Sequence, residues 1–232
     1  MKKTLKQRSG ALSSKKNSLY PIEKHYWKEN KIVCGVDEAG RGCMAGPVVI
    51  AAAILKPNTK HKLLIDSKKL SQEQLQFMYH WLLDNCTFSI SIASSRIIDI
   101  HNIYQATAKH MRLVLLHLLE NSVRPDIIAI DAMPVNLQNT PYSDIKITSM
   151  VQGESKSTSI AAASIIAKVT RDMLMSRIER SFPGYELDKH KGYCTVTHKK
   201  NTLLLKPTII HRNSYLNWIT KNDVYEQQSI FC

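Results

Sequence analysis

The sequence predicts an α/β protein, a mixed sheet flanked by helices. Three observations predict it. Two apolar runs of strand length, residues 31–36 and 48–55, come early with a glycine-rich stretch between them, the pattern of a hairpin. Later apolar runs at 126–131 and 145–151 are short and alternate with long stretches of helical periodicity. The 232 residues are 44% hydrophobic and 22% charged, enough for one sizeable core or one core with a small appendage.

The elements follow in order. Residues 1–20 are polar, basic and rich in Ser and Lys, and read as a mobile arm. Ile32, Val33, Cys34 and Val36 make the first strand, and 48–55 the second. Ser71 opens a helix over 72–85, because Gln74 three residues on completes a capping box and Leu75, Met78, Leu82 and Leu83 recur at helical spacing. Residues 88–93 read as a strand. A second helix over 103–120 turns Met111, Leu115, Leu118 and Leu119 inward. The short strand 126–131 ends in a carboxylate, and 145–151 is another strand. A long helix over about 159–180 is stopped by Pro183-Gly184. A Lys/His-rich loop, a short helix near 195–204 and a terminal amphipathic piece near 215–219 complete the chain. No internal repeat is visible.

The formal net charge is +13. It points to a polyanionic partner, either nucleic acid or an acidic membrane surface. Residues 1–31 hold nine Lys/Arg against Glu23 and Glu29, over half of the net charge. Such an arm either solubilises the chain or makes salt-sensitive phosphate contacts. The five cysteines, Cys34, Cys43, Cys86, Cys194 and Cys232, form no C-x-x-C pair and are odd in number, which argues against zinc and a disulfide scaffold and for a reducing, cytoplasmic compartment. The longest apolar run, 48–55, is too short to span a bilayer, and the basic N-terminus lacks the apolar core of an export signal.

The chemistry concentrates at residues 36–47, V-D-E-A-G-R-G-C-M-A-G-P. Asp37 and Glu38 close an apolar strand, and Gly40-Arg41-Gly42 follows at once. Carboxylates bind hard divalent cations, and glycines let a backbone approach a ligand closely. Taken alone, the stretch reads equally well as an acidic hairpin turn. Hydrolysis of a phosphodiester by a pair of divalent ions needs three or four carboxylates from separate segments. Asp131 follows an apolar strand as Asp37 does, so the two share one sheet edge if their strands are parallel neighbours. Neighbours such as Asp37 and Glu38 face opposite sides of a regular strand, so both reach one centre only where the strand ends. The fourth carboxylate is Glu154 or Asp172. A helix over most of the interval would part them by roughly 27 Å, so they cannot both serve. Glu154 follows a strand, whereas Asp172 lies deep in a helix four residues after Lys168, where an ion pair on the helix face is the simpler reading.

The chain resembles the type 2 ribonucleases H, specifically ribonuclease HII, from about residue 32 to residue 215. The resemblance rests on V-D-E-A-G-R-G (36–42), G-P-V-V (46–49), D-S-K-K-L-S (66–71), I-D-A (130–132), S-I-A-A-A-S-I-I-A-K-V-T-R-D (159–172), H-K-G-Y (190–193) and H-R-N-S-Y (211–215), in this order. It implies an RNase H-like fold: a catalytic core over 21–182, with a C-terminal helical, substrate-binding extension over 183–232. It implies cleavage of RNA paired with DNA, and of the strand 5′ to a ribonucleotide embedded in duplex DNA, leaving 3′-hydroxyl and 5′-phosphate ends. Asp37, Glu38 and Asp131 match the family's metal ligands for a two-metal Mg²⁺ or Mn²⁺ site. Glu154 stands where the family usually carries Asp; the sister branch, ribonuclease HIII, uses Glu there. That branch also carries a sizeable N-terminal domain, for which the 36 residues before Asp37 leave no room.

Gly40, Arg41 and Gly42 match the segment whose backbone reads a 2′-hydroxyl, the group that separates RNA from DNA. Tyr193 matches the tyrosine that stacks near the RNA–DNA junction. Lys68, within D-S-K-K-L, is a candidate phosphate contact. His190, Lys191 and Arg212 are expected as phosphate or structural contacts. Two departures touch no expected ligand: Ala132 replaces a common Gly, and 205–208 lacks one. The expected partners are RNA/DNA hybrid and ribonucleotide-containing DNA, with a monomer as the default. The rival readings are a basic nucleic-acid-binding protein with structural carboxylates, and an RNase H-like nuclease acting on DNA alone.

Overall fold

The computed structural model describes residues 21–64 and 67–217. The expected arm 1–20, Asp66 and the end of the piece at 215–219 lie outside the described residues.

A five-stranded mixed sheet has the order β3-β2-β1-β4-β5. β1 (Val33–Ala39) and β2 (Val48–Leu55) form the expected antiparallel hairpin, and β3 (Cys86–Ala93) extends it antiparallel to β2. β4 (Ile127–Asp131) joins the other side of β1 in parallel, and β5 (Lys146–Met150) lies parallel to β4. All eight residues of β2 are buried, because helices cover both faces of the sheet. On one face α3 (Ser95–Asn121) packs Met111, Leu115 and Leu118 against Cys34, Val36, Ile50 and Ile130. On the other, α2 (Gln72–Asn85) and α4 (Thr158–Glu179) cover Val49, Ala51 and Ala53. The alanines of α4 let it come close. At Gly35 a Cβ would lie 2.0 Å from the backbone of Ser159, so that position of β1 admits only glycine.

The capping box of α2 forms as expected, and the bounds of α2 match 72–85. Three elements differ most. β1 runs on to Ala39, past the two carboxylates, because Asp37, Glu38 and Ala39 pair with Ala51, Ile50 and Val49. α3 starts at Ser95, eight residues before the expected 103. It breaks at Asn102 (φ 60°, ψ 164°), whose Oδ1 accepts from the amide of Gln105 at 3.0 Å, so the second segment has its own cap and the apolar stripe starts afresh. α1 (Pro21–Lys28) was not foreseen. Its buried Glu23 accepts from Ser157 Oγ at 2.5 Å and from the amide of Ser159 at 3.0 Å, which pins α1 to the first turn of α4.

Beyond α4 the chain forms α5 (Leu187–His190) and α6 (Val196–Leu205), capped by Thr195. Ala45, Met175, Tyr185 and Leu187 make a small core beneath them. No helix among the described residues is long and apolar enough to cross a membrane.

His198 and His211, both buried, tie α6 to the loop carrying Tyr193. His198 Nδ1 lies 2.9 Å from the Tyr193 carbonyl, and its Nε2 lies 3.3 Å from His211 Nε2. His211 Nδ1 accepts from the amide of Thr208 at 3.1 Å. One tautomer set satisfies all three contacts: His211 carries its proton on Nε2 and His198 on Nδ1, with both rings neutral. Burial pushes both rings down to about 4. The folded pKa values lie below the ordinary 6.5. The unfolded chain therefore takes up protons first, and stability present above pH 6.5 is lost as the pH falls toward 4. The loss is at most on the order of 3 kcal/mol per ring. Melting temperatures between pH 7.5 and 4.5 are expected to fall through this window, and His198→Asn to melt lower at pH 7.5 with a flatter pH slope.

Candidate active site

The parallel register of β1 and β4 pairs Val36 with Ile130, so Asp37 and Asp131 come next to each other at one edge of the sheet. β5 then ends, Gln152 takes a left-handed conformation (φ 57°), and a single 3₁₀ turn, Gly153–Ser155, carries Glu154 back toward that edge. The amide of Gly153 donates to Asp131 Oδ1 at 2.8 Å, which fixes both the turn and the carboxylate. Carboxylate oxygens of Asp37, Asp131 and Glu154 all lie within 4.8 Å of one another. Asp172 is not among them; its Oδ1 is 2.8 Å from Lys168 Nζ, an i,i+4 pair along α4.

Glu38, expected as a further ligand, is not in that cluster, because β1 continues past it and it faces the other side of the strand from Asp37. Its Oε1 is 3.3 Å from Arg41 Nη1, and its buried Oε2 has no hydrogen-bond partner. Burial, then the charge of Glu38, pushes the Asp37 carboxyl well above the usual carboxylate range, against the pull of the Ser164 hydroxyl. Burial likewise raises Glu38; Arg41 opposes the shift, and Asp131 and Glu154 add to it. The four carboxylates thus crowd like charges together, offset in part by Arg41 against Glu38 and Lys68 against Glu154. Oxygen-only donors, crowded and partly orphaned, fit hard divalent cations.

The glycine-rich loop beside the carboxylates is held from below by two buried arginines. Gly40 has φ +97°, and a Cβ there would collide with Arg171 Nε at 2.0 Å. Arg171, from α4, donates to the carbonyls of Pro47, Ala45 and Lys191. Arg212 donates to Gly40 at 2.7 Å, Arg41 at 2.8 Å and Gly46 at 2.9 Å, and the Tyr215 hydroxyl also donates to Arg41. With those carbonyls turned inward, the amides of Arg41 and Gly42 have no hydrogen-bond partner among the described residues. They are donors available to a ligand.

Tyr193 bridges to Cys43 across this loop; the residue is 43% exposed, and the Arg171 guanidinium carbon lies 5.9 Å from the centre of its ring. Lys68 Nζ is 3.1 Å from Glu154 Oε1. The other expected contacts are engaged internally. Arg212 is fully buried, His190 Nε2 is bonded to the Tyr185 carbonyl, and Lys191 Nζ donates to Ser176 Oγ. Sequence reasoning assigned no part to Arg171, Ser67 or Ser164. Ser67 Oγ lies 2.9 Å from Ser164 Oγ, and Ser164 in turn bonds Asp37. The only signal for them was their place inside the matching motifs.

A sheet edge that gathers carboxylates for hard cations, with backbone donors alongside, defines a metal-dependent nuclease of the RNase H-like fold. The comparisons narrow that class. A family model described as Ribonuclease HII matches residues 34–218. A Ribonuclease HII from Mycoplasma mycoides subsp. mycoides SC is 40% identical over 182 residues, spanning 78% of this chain and 84% of the relative. The structure of ribonuclease H2 from Pyrococcus horikoshii OT3 superposes with a TM-score of 0.66 at 25% identity, over 84% of this chain and 98% of that one. A ribonuclease HIII described as Bst-RNase HIII in complex with Mn²⁺ shares the fold, with a TM-score of 0.55 at 19% identity over 89% and 77% of the two chains. The chain belongs to the ribonuclease HII family, the type 2 ribonucleases H, and is a metal-dependent endonuclease acting on RNA/DNA substrates.

Proposed function

We propose that this chain hydrolyses the RNA strand of RNA/DNA hybrids and cuts 5′ to a ribonucleotide embedded in duplex DNA, leaving 3′-hydroxyl and 5′-phosphate ends. The observation that carries the reading is the convergence of Asp37, Asp131 and Glu154 within 4.8 Å, directly beside a loop that offers free amides. Asp37, Asp131 and Glu154 would hold a pair of Mg²⁺ or Mn²⁺ ions, and Glu38, outside that cluster, would join them by turning its unpartnered Oε2 toward the site. When bound, such a pair neutralises the phosphate, acidifies water and stabilises the leaving oxygen. Gly40, Arg41 and Gly42 present their backbone to the 2′-hydroxyl, and Tyr193 offers a ring face to the sugar or base at the RNA–DNA junction. Arg171 and Arg212 keep that backbone in place. The extension from residue 183 onward supplies Tyr193 and, with the basic arm, contacts for the flanking duplex.

One labelled duplex with a single embedded ribonucleotide tests this, in Mg²⁺ and Mn²⁺ separately, beside an all-DNA duplex. Cutting 5′ to the ribonucleotide is expected, with at least about a hundredfold less on all-DNA. Equal cutting of both duplexes would favour a DNA nuclease. Salt-sensitive binding with no cleavage in any divalent metal would favour a simple nucleic-acid-binding protein.

A further inference from the structure

Lys68 is an expected phosphate contact, yet its ammonium sits on a carboxylate of the proposed metal site. Resting on the two-metal reading above, we propose that Lys68 is a displaceable counter-ion. It neutralises Glu154 while the site lacks cations, and loading of the site releases it to meet a substrate phosphate.

The geometry supports such an exchange. The Glu154 side chain is 8% exposed and its carboxylate lies among those of Asp37 and Asp131, so it carries a partly desolvated charge amid like charges. The Lys68 side chain is 80% exposed, so its head group can leave for solvent or a ligand with little loss of packing. Its backbone is anchored: Ser67–Lys69 forms a 3₁₀ turn whose buried Ser67 bonds Ser164 Oγ on α4. The head group can therefore swing while its root stays beside the site. A divalent cation on Glu154 carries twice the charge of the ammonium, and two such ions offset the formal charge of the four carboxylates. The ammonium then loses its net attraction to the site, is repelled by the cation on Glu154, and is left at the rim where a phosphate would lie. The carboxylate set thus trades its own counter-ion for the cofactor and points that counter-ion at the substrate.

The test is Mn²⁺ binding to the full chain without nucleic acid, by titration calorimetry or the electron paramagnetic resonance of free Mn²⁺. Lys68→Met removes the competitor and is expected to tighten Mn²⁺ binding by about threefold to tenfold. Lys69→Met, the same charge change on the exposed neighbour, stays within about twofold. With Ca²⁺ in place of the activating ions, Lys68→Met also weakens binding of an RNA/DNA hybrid and makes its salt slope shallower by about one. Mn²⁺ binding by Lys68→Met that is unchanged or weaker overturns the proposal. So does equal tightening in Lys69→Met, which would mean a diffuse charge effect. Asp131→Asn separates the two levels: if it leaves the Mn²⁺ isotherm untouched, the cations do not bind at this edge and the functional reading fails with the inference.

Discussion

Asp131→Asn is expected to lower the cleavage rate by about 10³-fold or more while binding of an RNA/DNA hybrid stays within about threefold of the parent. The substitution keeps the shape of the side chain. Its carbonyl oxygen can still accept from the amide of Gly153, the bond that ties the 3₁₀ turn to β4. What it removes is one negative charge from a group of carboxylates within 4.8 Å of one another. A cation held there loses a ligand, but the surface that grips the nucleic acid is unaltered. The same removal relieves repulsion that raises Glu38, so the cation-free variant is expected to melt higher, by roughly 2–4 °C for about 1 kcal/mol. Calorimetry without divalent ions measures the gain, and a single-turnover assay measures the loss. A variant that cuts at the parental rate would remove Asp131 from the site.

That combination, a more stable and less active protein, is informative because it would assign the charge of Asp131 to the cations and only its hydrogen bond to the fold. The arrangement of the carboxylates was only partly legible in the sequence. Asp37 and Asp131 stand out because each ends an apolar run. That their strands lie side by side and parallel depends on a pairing across some 90 residues, which no local pattern encodes. The choice between Glu154 and Asp172 could be framed from helix rise alone, and the structure places only Glu154 with the others. α1 was hidden because its eight residues are too few to show a helical stripe. The contact that orders it, Glu23 with Ser157 and Ser159, joins residues more than 130 positions apart. The first turns of α3 were hidden by Asn102, which interrupts the apolar stripe. Arginines were the hardest to read. In a chain of net charge +13 an arginine suggests a phosphate, yet Arg171 and Arg212 are buried and spend their donors on six backbone carbonyls.

Arg212→Met tests that scaffolding and is expected to be the most damaging single change outside the carboxylates. Arg212 lies within H-R-N-S-Y, far along the chain from the loop it holds. Its fork reaches Gly40, Arg41 and Gly46, so it fixes both ends of the turn between β1 and β2. Methionine fills much of the volume but offers no donor. Three carbonyls that now point into the protein would be left to find water or turn outward. Each unsatisfied group costs about 1–3 kcal/mol, so a net loss of roughly 3–5 kcal/mol is expected, a fall in melting temperature of about 10 °C. Arg212→Lys restores the charge without the planar fork and should recover only part of the loss. Because the inward carbonyls are what leave the amides of Arg41 and Gly42 without internal partners, the surviving folded protein should, on the proposed reading, also discriminate less between a ribonucleotide and a deoxyribonucleotide. Assays well below the melting temperature separate the two effects. If Arg212→Met melted within about 2 °C of the parent and kept its full preference for the embedded ribonucleotide, the loop would be held by its own geometry, with Arg212 merely packed beneath it.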